Sequence, residues 1–425
     1  MLAENQIFIY DFAWAISEAI DLISPVLRGH HKKVTYISKS IAKEMGLSND
    51  EIHDIILAAM LHDIGAFSMK EWGMLLSFEA NGHDFGHHAF WGYSLLKNFE
   101  PLAGVSELIR CHHANFAQSH RDVPIGSFVI HLADRVSLYI DEEKEILKQV
   151  PQILSNLGKK RETFHPDVFF AFEQLADKEY FWIEASSSTF LRADVVERIH
   201  LSKEIIGLET FRDFARVAAH IIDFRNRFTA THSRGVAAVA RELSLLSGFP
   251  EKEGKIMEIA GFLHDLGKLA VPNEILEKNG ALSEEEFNVI RKHTYYTHAI
   301  LSRLRGLEYI AVLAAHHHEK LDGSGYPFHV KGQNFSQLSR IMAVADVLTA
   351  LTEDRPYRAG MNRERTEKIL WDMAEGNGLD GGIVDLTAKN FLYLNDIRIN
   401  AQKEALKEYG EFHDSMRVRA LDSVS

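Results

Sequence analysis

Cysteine is almost absent: Cys111 is the only one in 425 residues. No internal disulfide can form, and the chain fits a reducing compartment. Cys111 itself reads as a small core residue, despite its neighbour His112. Long apolar runs are missing too. No stretch approaches the roughly 20 residues needed to span a bilayer, so no membrane association is expected. The opening residues, MLAENQIFIYDF, lack a basic region followed by an apolar stretch. No signal peptide is expected, and the location reads as cytoplasmic. Positive charge is scarce, with 47 Lys and Arg against 60 Asp and Glu and a net charge of −13. That balance argues against broad binding to DNA or RNA polymers. It leaves room for a small anionic ligand, because bound metals and a few local cations can reverse the local field. Convincing strand runs, low-complexity tracts and coiled-coil heptads are also lacking.

Histidine is what the chain has in excess: 23 residues, spread along its length. The length suggests two or three domains, and 46% apolar with 25% charged residues is ordinary for a globular protein. The periodicity is helical. FAWAISEAIDLI places Phe12, Ile16, Ala19, Ile20 and Ile23 near one stripe, and Pro25 ends it. A second helix over 30–46 closes on Gly46. Ser48 and Glu51 form a capping-box pair ahead of a helix that runs to His62-Asp63.

The histidines recur in two sets. His30 to His62 spans 32 residues, as does His232 to His264; His88 to His112 spans 24, as does His293 to His317. Each set has a consecutive pair, His112-His113 and His317-His318, and each ends on a carboxylate, Asp134 and Asp346. His62 to His88 is 26 residues against 29 for His264 to His293. The last gap differs more, 21 residues for His113 to Asp134 against 28 for His318 to Asp346. The longer gap holds DGSGYP. Flanking residues echo as well: Ile20-Asp21-Leu22 matches Ile222-Asp223-Phe224, and FHPDVFFAF near 164–172 matches LDGGIVDL near 379–386. The fold class is therefore all-α, two tandem helical domains joined by a helical connector. The expected boundaries are 1–185, a connector over 186–210 that starts in ASSSTF, and 211–425. Phe211, Phe214, Ala218 and Ile221 share one helix face after the connector.

Imidazoles and carboxylates beside apolar segments are costly unless something satisfies them, and a metal cluster does so. Neutral imidazoles and carboxylates hold divalent first-row ions, and one carboxylate can bridge two. Two ions about 3.5–4 Å apart can activate a water and stabilise both oxygens of a phosphodiester in displacement. Lys268 follows His264 by one turn and can place a cation on a non-bridging phosphate oxygen. Gly323 and Gly325 permit positive φ and close backbone approach, Tyr326 offers a ring for base stacking, and Pro327 stiffens the turn. Arg355 and Arg358 in RPYR suit phosphate or guanine-edge contacts. A single histidine on an apolar face is usually a core residue. Seven ligand-type positions in order, repeated in a second copy, are not. His53, His120, His165, His200, His220, His298 and His329 keep the plain reading as surface or packing groups, and His316 lies outside the pattern.

The stretch from His232 to Asp346, with His264-Asp265 and Gly325-Tyr326-Pro327, resembles the HD-GYP branch of the HD metal phosphohydrolases. That resemblance implies a cytoplasmic phosphodiesterase that opens a cyclic dinucleotide, cyclic di-GMP or 3′,3′-cyclic GMP-AMP, by attack of a metal-bridging hydroxide. It implies two divalent ions in the second copy, iron first and manganese next. Asp265 would bridge them; His232, His264 and Asp346 would hold one ion, and His293, His317 and His318 the other. Asp322, Gly325, Tyr326, Pro327, Lys268, Arg355 and Arg358 would meet the substrate. Some relatives carry a third-metal glutamate four residues before the first histidine; Phe228 stands there, so two ions are expected.

The first copy keeps every ligand type, in His30, His62, Asp63, His88, His112, His113 and Asp134. His31 and His87 offer alternative ligands. Ala66 replaces the lysine, and the GYP segment is missing. It reads as metallated without hydrolytic activity, with a second hydrolase and a metal-free relic as rivals. For the whole chain the rivals are a non-catalytic cyclic dinucleotide scaffold and a general HD nucleotide phosphohydrolase. No receiver, GAF or PAS signature is visible, so the first copy is the natural regulatory element. A homodimer and signalling-protein partners are open options with no specific pattern behind either.

Overall fold

Two helix starts are set by side chains that take up unpaired backbone groups in reciprocal pairs. Ser48 Oγ accepts the N–H of Glu51, whose carboxylate accepts the N–H of Ser48 in return. Ser283 and Glu286 do the same at a second helix start. Each such cap stabilises its helix by about 1 kcal/mol. The computed structural model describes residues 7–21, 29–66, 86–119, 122–187, 205–225, 231–276, 278, 280–354 and 358–422. Among these, the chain divides into an N-terminal unit, Phe8–Ile205, and a C-terminal unit, Ile206–Ser425 with Ile7. The residues 188–204, where most of the expected connector falls, lie outside the described set, as does Phe228.

The N-terminal unit holds α1 (Ile9–Asp21), α2 (His30–Glu44), α3 (Asn49–Leu61), α4 (Gly86–Leu96), α5 (Ala103–Arg110), α6 (Ile125–Tyr139), α7 (Ile146–Gly158), α8 (Pro166–Ala176) and α9 (Glu179–Ser186). The C-terminal unit holds α10 (Leu208–Arg225), α11 (His232–Leu246), α12 (Glu251–Leu263), α13 (Asn273–Leu276), α14 (Glu284–Leu301), α15 (Glu308–Ala315), α16 (Gln337–Thr352), α17 (Arg363–Glu375), α18 (Gly381–Lys389) and α19 (Phe391–Asp422). The only strands among the described residues are Ile7–Phe8 and Ile205–Ile206, which pair. The fold is all-α.

Both units use the same packing. In one, α2 lies against α3 and α6; in the other, α11 lies against α12 and α16. The contact faces are apolar: Val34, Ile37 and Ile41 of α2, and Val236, Val239 and Leu243 of α11, are fully buried. Each stabilises the fold by about 1.5–3 kcal/mol. Phe211, Phe214, Ala218 and Ile221 of α10 are buried as one face. The helix expected to run to His62-Asp63 stops at Leu61, and its counterpart α12 stops at Leu263. The His-Asp pair therefore sits at a helix end and not inside a helix. No helix among the described residues is long and apolar enough to cross a membrane.

Candidate metal centres

In the C-terminal unit, helix ends and a helix middle bring the imidazoles together. His232 opens α11, His264 and Asp265 follow α12, and His293 lies inside α14. His317 and His318 belong to the 3-10 turn after α15, and Asp346 lies within α16. All but His318 are buried; its side chain keeps 32% of its surface exposed. Donor atoms of His232, His264 and Asp346 lie within 4.8 Å of one another, and so do those of His293, His317 and His318. Asp265 adjoins both sets. Its Oδ2 is 3.2 Å from His264 Nε2, and its Oδ1 is 3.4 Å from His293 Nε2 and 3.9 Å from His317 Nε2. Lys268 Nζ reaches the same carboxylate at 2.5 Å.

The backbone chooses the tautomers. His264, His293 and His317 each direct Nδ1 to a carbonyl three residues back, Gly261 at 2.7 Å, Ile290 at 2.6 Å and Ala314 at 2.7 Å. An Nδ1–H donated there leaves Nε2 as a lone pair aimed into the cluster. His264 Nε2 and Asp265 Oδ1 are buried and make no hydrogen bond. Such an orphaned group costs about 1–3 kcal/mol, and a cation between them removes that cost. The residues fit a divalent metal centre.

Electrostatics agree with that donor set. Burial pushes the His293 pKa down to about 3 and holds His317 well below the usual imidazole range, so both rings are neutral at neutral pH, the form that can bind a metal. Burial would raise the Asp265 pKa, but His264 and Lys268 hold it well below the ordinary carboxylate range. His232 behaves differently. Burial works against its charge, yet Glu353 and Asp346 outweigh that and push its pKa up to about 10.

The N-terminal unit builds a second cluster from matching positions. Asp63 Oδ1 is 3.2 Å from His88 Nε2 and 3.7 Å from His112 Nε2, and Asp63 Oδ2 is 3.1 Å from His62 Nε2 and 3.8 Å from His30 Nε2. His113 Nε2 lies 2.9 Å from His88 Nε2, and His30 Nε2 lies 3.3 Å from Asp134. His62 and His112 again turn Nδ1 to carbonyls three residues back, Ala59 at 2.8 Å and Ile109 at 2.6 Å. His62 Nε2 and Asp63 Oδ1 are buried without hydrogen bonds. His31 is buried and turns its Nδ1 to Asp21 at 2.5 Å, which leaves Nε2 toward His62 and Asp63. Ala66, the lysine's counterpart, is buried. The cation comes from another direction: Arg135 places Nη2 at 2.6 Å and Nε at 3.0 Å on Asp134 Oδ2. Val347 holds that position in the other unit.

The DGSGYP loop is held by Glu319. This buried carboxylate accepts the N–H of Phe328 at 2.7 Å and of Val330 at 3.1 Å. Gly323 has φ +76°, whereas Gly325 serves by close approach alone: a Cβ there would lie 2.4 Å from Lys320 N. Asp322 is exposed and accepts the N–H of Ser324 at 2.7 Å, which folds the turn. The Tyr326 ring stands 5.1 Å from the His318 ring, and Pro327 follows it into a surface groove. Arg358 is half-buried and donates Nη2 to the Ala350 carbonyl at 2.6 Å. Arg355 lies outside the described residues.

Two supporting residues escape sequence reasoning: Glu353 meets His232 Nδ1 at 3.1 Å, and Arg135 neutralises Asp134. Glu353 carried a signal, its place two helical turns after Asp346. Glu319 stands directly after the histidine pair, and its role as the loop's clamp is visible only in the structure.

Comparison with known proteins places the chain. Models described as HD domain match residues 216–383 and residues 27–139. The chain is 30% identical over 397 residues to 3′3′-cGAMP-specific phosphodiesterase 1 of Vibrio cholerae serotype O1, covering 89% of this chain and 90% of that protein. The chain belongs to the HD-GYP family. This HD-GYP protein is also 38% identical over 154 residues to a cyclic di-GMP phosphodiesterase of Pseudomonas aeruginosa, covering 36% of each chain. A crystal structure of a cyclic GMP-AMP specific phosphodiesterase of V. cholerae shares its fold, with TM-score 0.65 and 21% identity over 91% of this chain and 98% of that one.

Proposed function

We propose that this HD-GYP protein is a metal-dependent phosphodiesterase that opens 3′,3′-cyclic GMP-AMP at the C-terminal centre. The observation that carries the reading is Asp265, whose two oxygens face different imidazoles in a buried site of preset tautomers. His232, His264 and Asp346 would hold one divalent ion and His293, His317 and His318 the other, with Asp265 between them. Iron is the first choice and manganese the second, both suited to nitrogen and carboxylate donors. Bound there, the ions lower the pKa of an attacking water and neutralise charge on the phosphate. Hydrolysis forms one P–O bond, breaks the P–O3′ bond and returns a proton to the 3′ oxygen, leaving a linear dinucleotide. Lys268, held beside Asp265, would supply a cation to a non-bridging phosphate oxygen. The choice of 3′,3′-cyclic GMP-AMP over cyclic di-GMP is supported by extent: the cGAMP-specific relative aligns over nearly the whole chain, the cyclic di-GMP relative over about a third.

The catalytic domain in this reading is 211–425. The N-terminal domain, 1–185, carries a second metal centre without hydrolytic activity, because it has neither the lysine nor the GYP loop. It is the natural place for regulation.

The test is anaerobic turnover of metal-quantified protein on both cyclic dinucleotides side by side, with products identified by mass. Faster opening of 3′,3′-cyclic GMP-AMP is expected. Preference for cyclic di-GMP overturns the substrate assignment, and no turnover of either by metal-loaded protein overturns the hydrolase reading in favour of a scaffold.

A further inference from the structure

The helix that carries His293 has a second face. Phe287, Asn288, Arg291, Lys292, Tyr295 and Tyr296 recur on α14 at helical spacing, so they share one side. His293, Thr294 and Thr297 of the same helix are fully buried, whereas Phe287 and Tyr295 keep 43% and 53% of their surface exposed. Five of the six, without Phe287, join Tyr326 and Pro327 to line a groove of about 450 Å³. None of the seven lining residues is acidic, in a chain whose net charge is −13.

The groove is built around Tyr326. The Arg291 guanidinium lies over the Tyr326 ring at 5.0 Å and over the Phe287 ring at 5.9 Å. The Phe287 and Tyr326 rings meet edge to face at 6.2 Å. Tyr326 also lies 5.1 Å from His318, so one ring borders both the metal centre and the groove. Aromatic rings accept the π-face of any base, and Arg and Lys meet the phosphates that come with it.

We propose that this groove seats one purine nucleotide of the dinucleotide, its base stacked among Tyr295 and Tyr326 and its phosphate met by Lys292 and Arg291. Asn288 adds an amide that can donate to and accept from a purine edge. The inference rests on the phosphodiesterase reading of the C-terminal centre and deepens it. Residues that touch no metal thereby set the KM for the substrate.

The test is steady-state kinetics of the metal-loaded full chain on 3′,3′-cyclic GMP-AMP, comparing wild type with Tyr295→Ala, Lys292→Gln and Tyr295→Phe. Loss of one stacked base or one phosphate contact is expected to raise KM about tenfold in the first two variants. Their kcat and metal content stay within about twofold of wild type, because neither residue reaches the reacting atoms. Tyr295→Phe keeps the ring and reverses most of the KM rise seen in Tyr295→Ala. A KM unchanged in both Tyr295→Ala and Lys292→Gln, with wild type active, overturns the inference alone and leaves the groove to a protein partner. A fall in kcat with metal loss assigns these residues a structural role and also overturns it. Inactive wild type instead removes the phosphodiesterase reading beneath it.

Discussion

Gly267 and His293 touch so closely that a Cβ on the glycine would lie 2.0 Å from the histidine carbonyl oxygen. Gly65 and His88 repeat the relationship at 2.2 Å. In the C-terminal unit the approach is stitched by Thr297, whose Oγ1 accepts the N–H of Gly267 at 2.9 Å and donates to the carbonyl of His264 at 3.0 Å. Any side chain at Gly267 must push α14 away from the His264-Asp265 turn. Gly267→Ala should cost about 1–3 kcal/mol in denaturant unfolding and lose metal from the C-terminal centre. Wild-type metal content in that variant contradicts the argument.

Glu353 orients His232 by accepting from Nδ1, and Gln402 supports it by donating Nε2 at 3.2 Å. Glu353→Gln should weaken metal binding about 10–100-fold without unfolding the chain. Competition with a chelating dye measures this, and an affinity within twofold of wild type refutes it.

Lys268 places its Nζ on the Asp265 carboxylate, and an alanine, Ala66, stands at the matching position of the N-terminal unit. Lys268→Met should retain metal and lose about 10²–10³ in kcat. Metal analysis beside turnover separates this from simple collapse of the site; near-normal kcat is the contrary result.

Proton release gives a sign that can be checked. In the metal-free protein, carboxylates push the pKa of His232 up to about 10 and that of His62 up to about 9, in each case against the effect of burial. Both rings are therefore protonated at neutral pH, and a metal must displace those protons. Raising the pH toward these values removes the competition, so apparent metal affinity rises with pH and falls on acidification. Calorimetric titration of metal-free protein in buffers of different ionisation enthalpy should show net proton release. Identical enthalpies in all buffers count against it.

The two centres should separate by mutation. Asp63→Ala should lower the metal content and keep turnover, while Asp265→Ala should abolish turnover and keep the N-terminal metal. If Asp63→Ala leaves the stoichiometry unchanged, the N-terminal cluster binds no ion.

Much of this was legible because it depends on spacing. The equal intervals from His30 to His62 and from His232 to His264 reflect two helices of fixed length packed side by side. The capping pair Ser48 and Glu51 was readable for the same reason, since its chemistry is local. What escaped depends on tertiary approach. Glu353 lies just past the end of α16, seven residues after Asp346 and so on the same helical face, but the pairing with His232 forms only when α11 packs against that face. Arg135 looks like any polar neighbour of Asp134 until the bundle buries both. Asp322, expected to meet the substrate, also accepts the backbone N–H of Ser324 in its own turn, a bond that only the loop's folded path makes visible.

The Glu319 clamp also bears on how such a protein can change over generations. The clustered imidazoles and carboxylates come from helix ends and helix interiors at matching places in each unit, while the DGSGYP loop is tied down at one carboxylate between His318 and α16. On the proposed function, drift in that loop would retune which dinucleotide is accepted without moving an imidazole. The N-terminal unit lacks the loop's sequence and still gathers its ring of donors. Substrate choice and metal retention would then be separately heritable traits of one chain.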